Sequence, residues 1–252
     1  MKAVLFAGGK GTRLRPLTYF YQKVMIPLGK KQRPLLEYII RYLMNFDINE
    51  FIILVNYKKK QIIDYFEDGS EYGINIEYVT DREGWEGTGS AILNAKDYIE
   101  GDDFIVYYGD ILTDLNIAKM RDFWKEHNTT GALWLLDNYR LPVGVAEIDI
   151  ETKRIKEFKE KPPIPQLINS GISMFHKNFF KTIEPLTKNI DVSHMDLSAN
   201  IMPYLAEKKE LVGFVDKAFW LDIGSIERFE KIDPEFLNQV LNRMVNYSFE
   251  NK

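Results

Sequence analysis

The run Phe104-Ile105-Val106-Tyr107-Tyr108 is apolar or aromatic at every position. A strand with no polar alternation needs cover on both faces, and a parallel sheet flanked by helices on either side provides it. The first half of the chain supplies the partners for such a strand. Apolar runs at Lys2–Phe6, Phe51–Val55 and Ile74–Tyr78 alternate with helix-period segments at Leu35–Phe46, Lys59–Phe66, Thr88–Ile99 and Ile117–His127. Leu35, Leu36, Ile39, Ile40 and Leu43 recur at helical spacing and lay one stripe against a sheet, with Pro34 placed where a first helical turn tolerates it. Right-handed crossovers then build an α/β fold with a mainly parallel central sheet.

Beyond about Thr130 the segments shorten and alternate: Ala132–Leu136, Val143–Ile148, Ile155–Phe158, Leu167–Phe175 and Leu211–Val215. This half is expected to form a mixed-sheet region. Together with the first half, about 1–130, it makes a single domain over 1–232, because apolar runs resume directly after each polar stretch. Pro162-Pro163-Ile164-Pro165 forces an extended or turning connection. Asp233-Pro234 reads as an N-cap followed by proline at the first helical position, opening a last helix over Glu235–Tyr247 within the segment 233–252.

After the first apolar run comes Gly8-Gly9-Lys10-Gly11-Thr12-Arg13-Leu14-Arg15-Pro16. Its glycines permit positive φ and let backbone N–H groups approach an anion, while Arg13 offers a planar, permanently charged fork to phosphate oxygens. The stretch fits neither of the two commonest nucleotide motifs. A dinucleotide fingerprint starting at Gly9 requires glycine where Leu14 stands, and no GK[ST] completes a P-loop. Glycine and arginine also make ordinary surface turns, but loops at the carboxyl ends of strands in open α/β sheets are where ligands collect.

Composition narrows the partners. With 45% apolar and 28% charged residues among 252, the chain is neither disordered nor collagen-like. A net charge of −4 gives no general attraction to nucleic acid or to an anionic membrane, so neither is expected as a partner. The absence of Cys removes disulfides, thiolate metal sites and Cys nucleophiles. His127, His176 and His194 are too far apart for a multi-His zinc motif. Met1-Lys2-Ala3 leads straight into a strand, and no run approaches ~18 apolar residues, so a cytoplasmic protein is expected. The 14 Tyr and 16 Phe could be core, or could include the face of a homo-oligomer.

Four further features join the glycine loop: Lys23 in Gln22-Lys23-Val24-Met25-Ile26-Pro27, Gly109-Asp110, Glu160-Lys161-Pro162, and Trp220-Leu221-Asp222-Ile223-Gly224. Each has an ordinary reading by itself. An Asp after Gly is a common turn former, a single lysine is usually solvated, and Trp220 packs in a core or rim more often than it stacks on a ligand. Together they match phosphoryl-type chemistry, in which a nucleoside triphosphate needs cationic clamps and a divalent ion held by carboxylates. Arg13 and Lys23 supply the clamps, and Asp110 and Asp222 the hard oxygen ligands that Mg²⁺ prefers. The two aspartates can converge only if both end strands at one edge.

The segment Ala7–Thr18, followed by Lys23 and Pro27, resembles the signature of sugar-1-phosphate nucleotidylyltransferases. The resemblance continues in order through Leu35–Ile40, Gly87-Thr88-Gly89, Gly109-Asp110, Glu160-Lys161-Pro162, Asn169-Ser170-Gly171 and Trp220–Gly224. It implies a Rossmann-like, glycosyltransferase-A-type fold and an in-line transfer from a nucleoside triphosphate to a sugar-1-phosphate, with a hexose-1-phosphate such as that of glucose or mannose expected. In that resemblance Ala7, Gly8, Gly9, Gly11 and Thr12 cradle the nucleotide, Arg13 neutralises the departing pyrophosphate, and Lys23 holds the α-phosphate. Asp110 and Asp222 bind Mg²⁺. Lys161 clamps the phosphate of the sugar, and Gly144, Glu160 and Asn169 line its hydroxyls.

The family's base-reading loop falls on Asp81–Gly89, with Asp81, Gly87 and Thr88 as nucleotide contacts. It lacks the glutamine common in the thymidylyl and uridylyl branches and is closer to guanylyl-type relatives, with a cytidylyl reading also open. Gln22-Lys23-Val24 and Arg33-Pro34 replace the usual PKP and KP segments, the first keeping its cation. The β-helix module of some relatives is expected to be absent. Two other readings compete: a non-catalytic subunit that senses nucleotide sugars on the same fold, and a cytidylyltransferase for a non-sugar phosphate.

Overall fold

The computed structural model describes residues 1–137, 139–230 and 232–246. In chain order the elements are β1 (Lys2–Ala7), β2 (Pro27–Leu28), β3 (Arg33–Pro34), α1 (Leu35–Met44), β4 (Glu50–Val55), α2 (Lys59–Phe66) and β5 (Asn75–Thr80). Then follow α3 (Thr88–Asn94), α4 (Lys96–Ile99), β6 (Phe104–Tyr108), β7 (Ile111–Thr113), α5 (Ile117–His127) and β8 (Gly131–Leu136). The remainder is β9 (Val145–Ile148), β10 (Ile155–Lys159), β11 (Ile168–Phe175), α6 (Phe179–Thr187), α7 (Met202–Glu207), β12 (Leu211–Val215), β13 (Trp220–Asp222), α8 (Ile226–Glu230) and α9 (Pro234–Val245).

A 7-stranded sheet in the order β12-β8-β11-β6-β1-β4-β5 forms the centre. β5, β4, β1 and β6 are mutually parallel, β11 is antiparallel to both β6 and β8, and β12 is parallel to β8. Alternate strand residues feed opposite faces, as a period of two requires. Ala3, Leu5 and Ala7 of β1 pack in the cluster that contains the apolar stripes of α1, α5 and α9. Val4, Ile52 and Val106 pack in a second cluster with α3, α6 and α7. β6 is the strand whose continuous apolar run requires this double cover, and it sits near the middle of the sheet. The α/β architecture with helices on both faces is therefore the one expected.

Local differences have local causes. The segment read as one helix over Thr88–Ile99 breaks at Ala95 (φ −90°, ψ 6°), where Asn94 Nδ2 donates to Thr80 O at 2.8 Å and ties the break to the end of β5. Pro34 stands one residue before α1 with extended ψ of 143°, not inside its first turn. β8, β11 and β12 join the central sheet, but β9 and β10 pair only with each other as an exposed ribbon. Glu147, Lys156, Glu157 and Lys159 put charge along that ribbon, which disfavours a place in the buried sheet. Asp233 caps α9 by accepting from Phe236 N at 2.7 Å, with Pro234 next as read from sequence. Tyr247, the expected end of that helix, and 248–252 lie outside the described residues. Among the described residues no helix is long and apolar enough to cross a membrane.

Candidate functional site

Parallel strands deliver the loops that follow them to one edge of the sheet, and here four such loops meet. Ala7 pairs with Val55 and Val55 with Thr80, so Gly8, Asn56 and Asp81 leave their strands level with one another. Phe6 pairs with Tyr108, which brings Gly109 and Asp110 to the same edge. The loops enclose a cavity of about 650 Å³ lined by Ala7, Gly8, Gly9 and Lys23, by Asp81, Gly87 and Thr88, and by Asp110.

Of the loop glycines only Gly11 takes positive φ, +58°, at the entrance to a short turn of 3₁₀ helix over Thr12–Leu14. Leu14 is fully buried and anchors that turn. Gly8 is small for want of room, since a Cβ there would meet Asn56 Cβ at 3.3 Å, whereas Gly9 faces open space. Thr12 and Arg13 are exposed and stand outside the cavity lining.

Gln22 straps this loop down. Buried at 1% exposure, it donates from Nε2 to Ala7 O and Gly9 O and accepts from Val24 N at 2.6 Å. Those bonds place the next residue, Lys23, over the cavity floor, where its Nζ forms an ion pair with Asp110 Oδ2.

Asp222 arrives from the other half of the chain. β13 pairs antiparallel with β7, Asp222 opposite Ile111, and Ile223 N donates to Asp110 O at 2.8 Å. The backbones of the two aspartates are thus neighbours at one edge, Asp110 lining the cavity and Asp222 standing outside its lining. Gly109, between β6 and Asp110, has no room for a side chain: a Cβ would lie 2.6 Å from Phe6 O. The donor set suits a hard cation. Among the described residues no group of three or more His, Cys, Asp or Glu side chains gathers, so an ion held by Asp110 and Asp222 would complete its shell with substrate oxygens and water, as Mg²⁺ commonly does.

The loop from Asp81 to Thr88 forms the far wall. Asp81 accepts at Oδ2 from Asn56 Nδ2 at 2.9 Å; burial pushes its carboxyl pKa up, and the Asn56 bond opposes that only in part. Arg82 lies over the Trp85 ring at 4.8 Å. Thr88 spends its hydroxyl on structure, donating to Asp196 Oδ2 at 2.7 Å and accepting from Leu197 N at 2.9 Å. Burial pushes the Asp196 carboxyl up, but hydrogen bonds from Thr88 and from the backbone of Ala199 and Ser198 together hold it below its ordinary value. Gln22, Asn56 and Asp196 were passed over in the sequence. The only signal for them was a position one residue after a strand for Asn56 and one before Lys23 for Gln22.

The sugar-side residues lie apart from this cavity. Gly144, Glu160 and Lys161 are exposed around the β9–β10 ribbon. A Cβ on Gly144 would sit 3.0 Å from Glu160 Oε2, and Lys161 Nζ is 3.7 Å from Glu160 Oε1. Asn169, on β11, accepts at Oδ1 from Gly171 N at 3.1 Å and donates to Met202 Sδ at 3.5 Å. Trp220 is rim packing: its Nε1 donates to Ser170 O at 2.8 Å, and its ring meets Tyr139 edge-on.

The family model for nucleotidyl transferases matches residues 2–239. The chain belongs to that family. Among curated relatives, a bifunctional protein GlmU of Methanococcus maripaludis is 32% identical over 97% of this chain and 56% of its own length. A mannose-1-phosphate guanylyltransferase of Mycobacterium tuberculosis is 32% identical over 90% of this chain and 62% of its own. The chain therefore spans a little over half the length of these relatives. Among solved structures, HddC of Yersinia pseudotuberculosis complexed with GMP-PN superposes with a TM-score of 0.69 at 26% identity, covering 93% of this chain and 99% of that one. A candidate glucose-1-phosphate thymidylyltransferase of Bacillus anthracis, 20% identical, shares the fold with a TM-score of 0.71 over 99% of this chain and 97% of its own. The nucleotidyl transferase resemblance read from the glycine loop thus extends over nearly the whole chain.

Proposed function

We propose that the chain transfers a nucleotidyl group from a nucleoside triphosphate to a sugar-1-phosphate, a hexose-1-phosphate such as that of glucose or mannose, and releases pyrophosphate. The observation that carries the reading is the Lys23–Asp110 ion pair inside a cavity walled by Gly8 and Gly9, with the strand end that bears Asp222 joined to Asp110 through the backbone bond of Ile223. The names of the relatives support it, since they include sugar-1-phosphate nucleotidyltransferases.

In the reaction an oxygen of the sugar phosphate attacks the α-phosphorus. The new P–O bond forms as the bond from the α-phosphorus to the bridging oxygen breaks, and that oxygen's electron pair leaves with pyrophosphate. The attacking oxygen is already ionised near neutral pH, so no side chain has to take a proton. Positioning and charge neutralisation remain for the protein to supply. Backbone N–H groups around Gly8, Gly9, Gly11 and Thr12 receive the phosphates, with Ala7 beneath them. Lys23 holds the α-phosphate, and Arg13, on the exposed turn beside the cavity, meets the departing pyrophosphate. Asp110 and Asp222 would hold Mg²⁺, which when bound neutralises triphosphate charge. Asp81, Gly87 and Thr88 line the base end. Lys161 takes the sugar phosphate, and Gly144, Glu160 and Asn169 face the sugar hydroxyls. This reading puts the chain in the cytoplasm, where both substrates are made.

The test is pyrophosphate release from a panel of nucleoside triphosphates and sugar-1-phosphates with Mg²⁺. Release from at least one pair, lost in Asp110→Asn and Asp222→Asn variants that keep the wild-type melting temperature, supports the reading. No release above blank from any pair sinks it, and tight binding of a nucleotide sugar without turnover would favour a sensing subunit instead.

A further inference from the structure

The sheet order sets out the cavity from one end to the other. Loops after β5, β4, β1 and β6 contribute Asp81, Asn56, Gly8–Gly9 and Asp110 in that spatial sequence. Three inter-strand steps of about 4.8 Å separate the outer two, roughly 14 Å in all. With the cationic and carboxylate pair Lys23–Asp110 at the β6 end, the triphosphate belongs there and the base belongs at the β5 end, beside Asp81.

Four carboxylates line that end, and three are unsuited to reading a base. Asp196 is committed to Thr88, Ser198 and Ala199, and Glu83 and Glu86 are exposed. Asp81 is half-buried and its orientation is fixed by Asn56, which uses one of about four lone-pair sites on the carboxylate. An ionised carboxylate only accepts. Guanine presents two adjacent donors to such a group, N1–H and the N2 amino group. Uracil and thymine present a single N3–H flanked by carbonyl oxygens, cytosine sets two acceptors beside its amino group, and adenine sets N1, an acceptor, beside its own. Against those edges an acceptor-only group meets at least one repulsive lone pair.

We infer that Asp81, held by Asn56, is the residue that selects a guanine nucleotide by accepting from N1–H and the N2 amino group of the base. The inference rests on the nucleotidyl-transfer reading for the placement of the triphosphate, and it assigns the base on this chain's own geometry. Paired N–H donors also satisfy a carboxyl that burial leaves poorly solvated.

The experiment measures binding, not turnover. Dissociation constants of the wild-type chain with Mg²⁺ are compared for guanosine, inosine, uridine, thymidine, cytidine and adenosine triphosphates. Guanosine triphosphate is expected to bind about tenfold to a hundredfold more tightly than the others, the range carried by a bidentate base contact. Inosine triphosphate, which lacks only the N2 amino group, should lose about tenfold, a deletion on the ligand that needs no variant. Asp81→Asn should remove most of the guanine advantage, weakening guanosine triphosphate and, with the carboxylate's lone pairs gone, tightening uridine and cytidine triphosphate; a variant that keeps the wild-type preference overturns the inference. Equal binding of inosine and guanosine triphosphates, or tighter binding of a pyrimidine nucleotide, overturns the inference. Selective guanosine triphosphate binding with no pyrophosphate release from any sugar-1-phosphate would leave the base assignment standing and overturn the transfer reading.

Discussion

Lys23 Nζ, on the short 3₁₀ turn Lys23–Met25, and Asp110 Oδ2, in the loop that follows strand β6, are in direct ionic contact, and both side chains are mostly shielded from water. In the proposed reaction Lys23 would move to the α-phosphate and Asp110 would be free to hold Mg²⁺, so the observed pair would keep both groups near the reacting position before substrate arrives. Lys23→Met is expected to lower turnover about 10²–10³-fold, the cost of losing one preorganised charge-stabilising donor. Pyrophosphate release measures the loss, and an unchanged urea midpoint shows that the fold survives. A variant within a factor of three of wild type would remove Lys23 from the mechanism.

Gly109→Ala tests how tightly the strand ends are packed. Its new methyl group would lie 2.6 Å from a backbone oxygen, Phe6 O, which cannot rotate away as a side chain could. Overpacking of this kind costs about 1–3 kcal/mol, and the shift that relieves it displaces Asp110. Chemical denaturation should show the stability loss, and turnover should fall further than the unfolded fraction explains. Wild-type stability would mean the loop after β6 is looser than its contacts indicate.

Asp196 joins the base-side wall to the turn that follows Met195. Its carboxylate accepts from Ser198 N, Ala199 N and Thr88 Oγ1, so Asp196→Ala should cost about 1 kcal/mol at pH 7, as the loss of a helix-capping side chain does. The pH dependence follows from the depressed folded-state pKa. Stability from a depressed carboxyl is fully present above its unfolded value, about pH 4, and is lost as pH falls through the folded value. The gap between wild type and variant should therefore hold steady from pH 7 to pH 5 and narrow in stronger acid. Urea unfolding across that range checks it, and a gap that widens in acid would contradict the assigned bonds.

What was legible in the sequence followed from patterns that local physics enforces. The continuous apolar run of β6 needed a doubly covered sheet, and the glycine loop after β1 needed the ligand edge of that sheet. Asp110 and Asp222 could be expected at one edge because each ends an apolar run, and the β13–β7 pairing with the Ile223 bond to Asp110 brings their backbones together there. Gln22, Asn56 and Asp196 were not readable. Each is a single polar residue whose meaning comes from a partner far along the chain: Gln22 from Ala7 O and Gly9 O, Asn56 from Asp81, and Asp196 from Thr88. The β9–β10 ribbon escaped for a related reason. Its alternation matches any strand pair, and only its charge on exposed positions separates it from the central sheet.

Lys161 carries the sugar-side prediction. It is exposed, with a carboxylate neighbour in Glu160 at 3.7 Å, and it lies outside the nucleotide cavity. Lys161→Ala should raise KM for the sugar-1-phosphate at least about tenfold, the scale of a lost charge-assisted hydrogen bond, with little change in KM for the nucleotide. Equal effects on both substrates would move Lys161 out of the sugar site.

The central claim is that the chain joins a sugar phosphate to the α-phosphate of a nucleotide. Phosphorus NMR of protein, Mg²⁺, guanosine triphosphate and a panel of hexose-1-phosphates follows every phosphorus atom at once. The account predicts that the triphosphate and sugar-phosphate resonances fall together while a diphosphate diester and pyrophosphate grow in equal amounts. Inorganic phosphate and a nucleoside diphosphate in their place would show hydrolysis and contradict the account, as would a spectrum unchanged under every pairing, including those with the other nucleoside triphosphates.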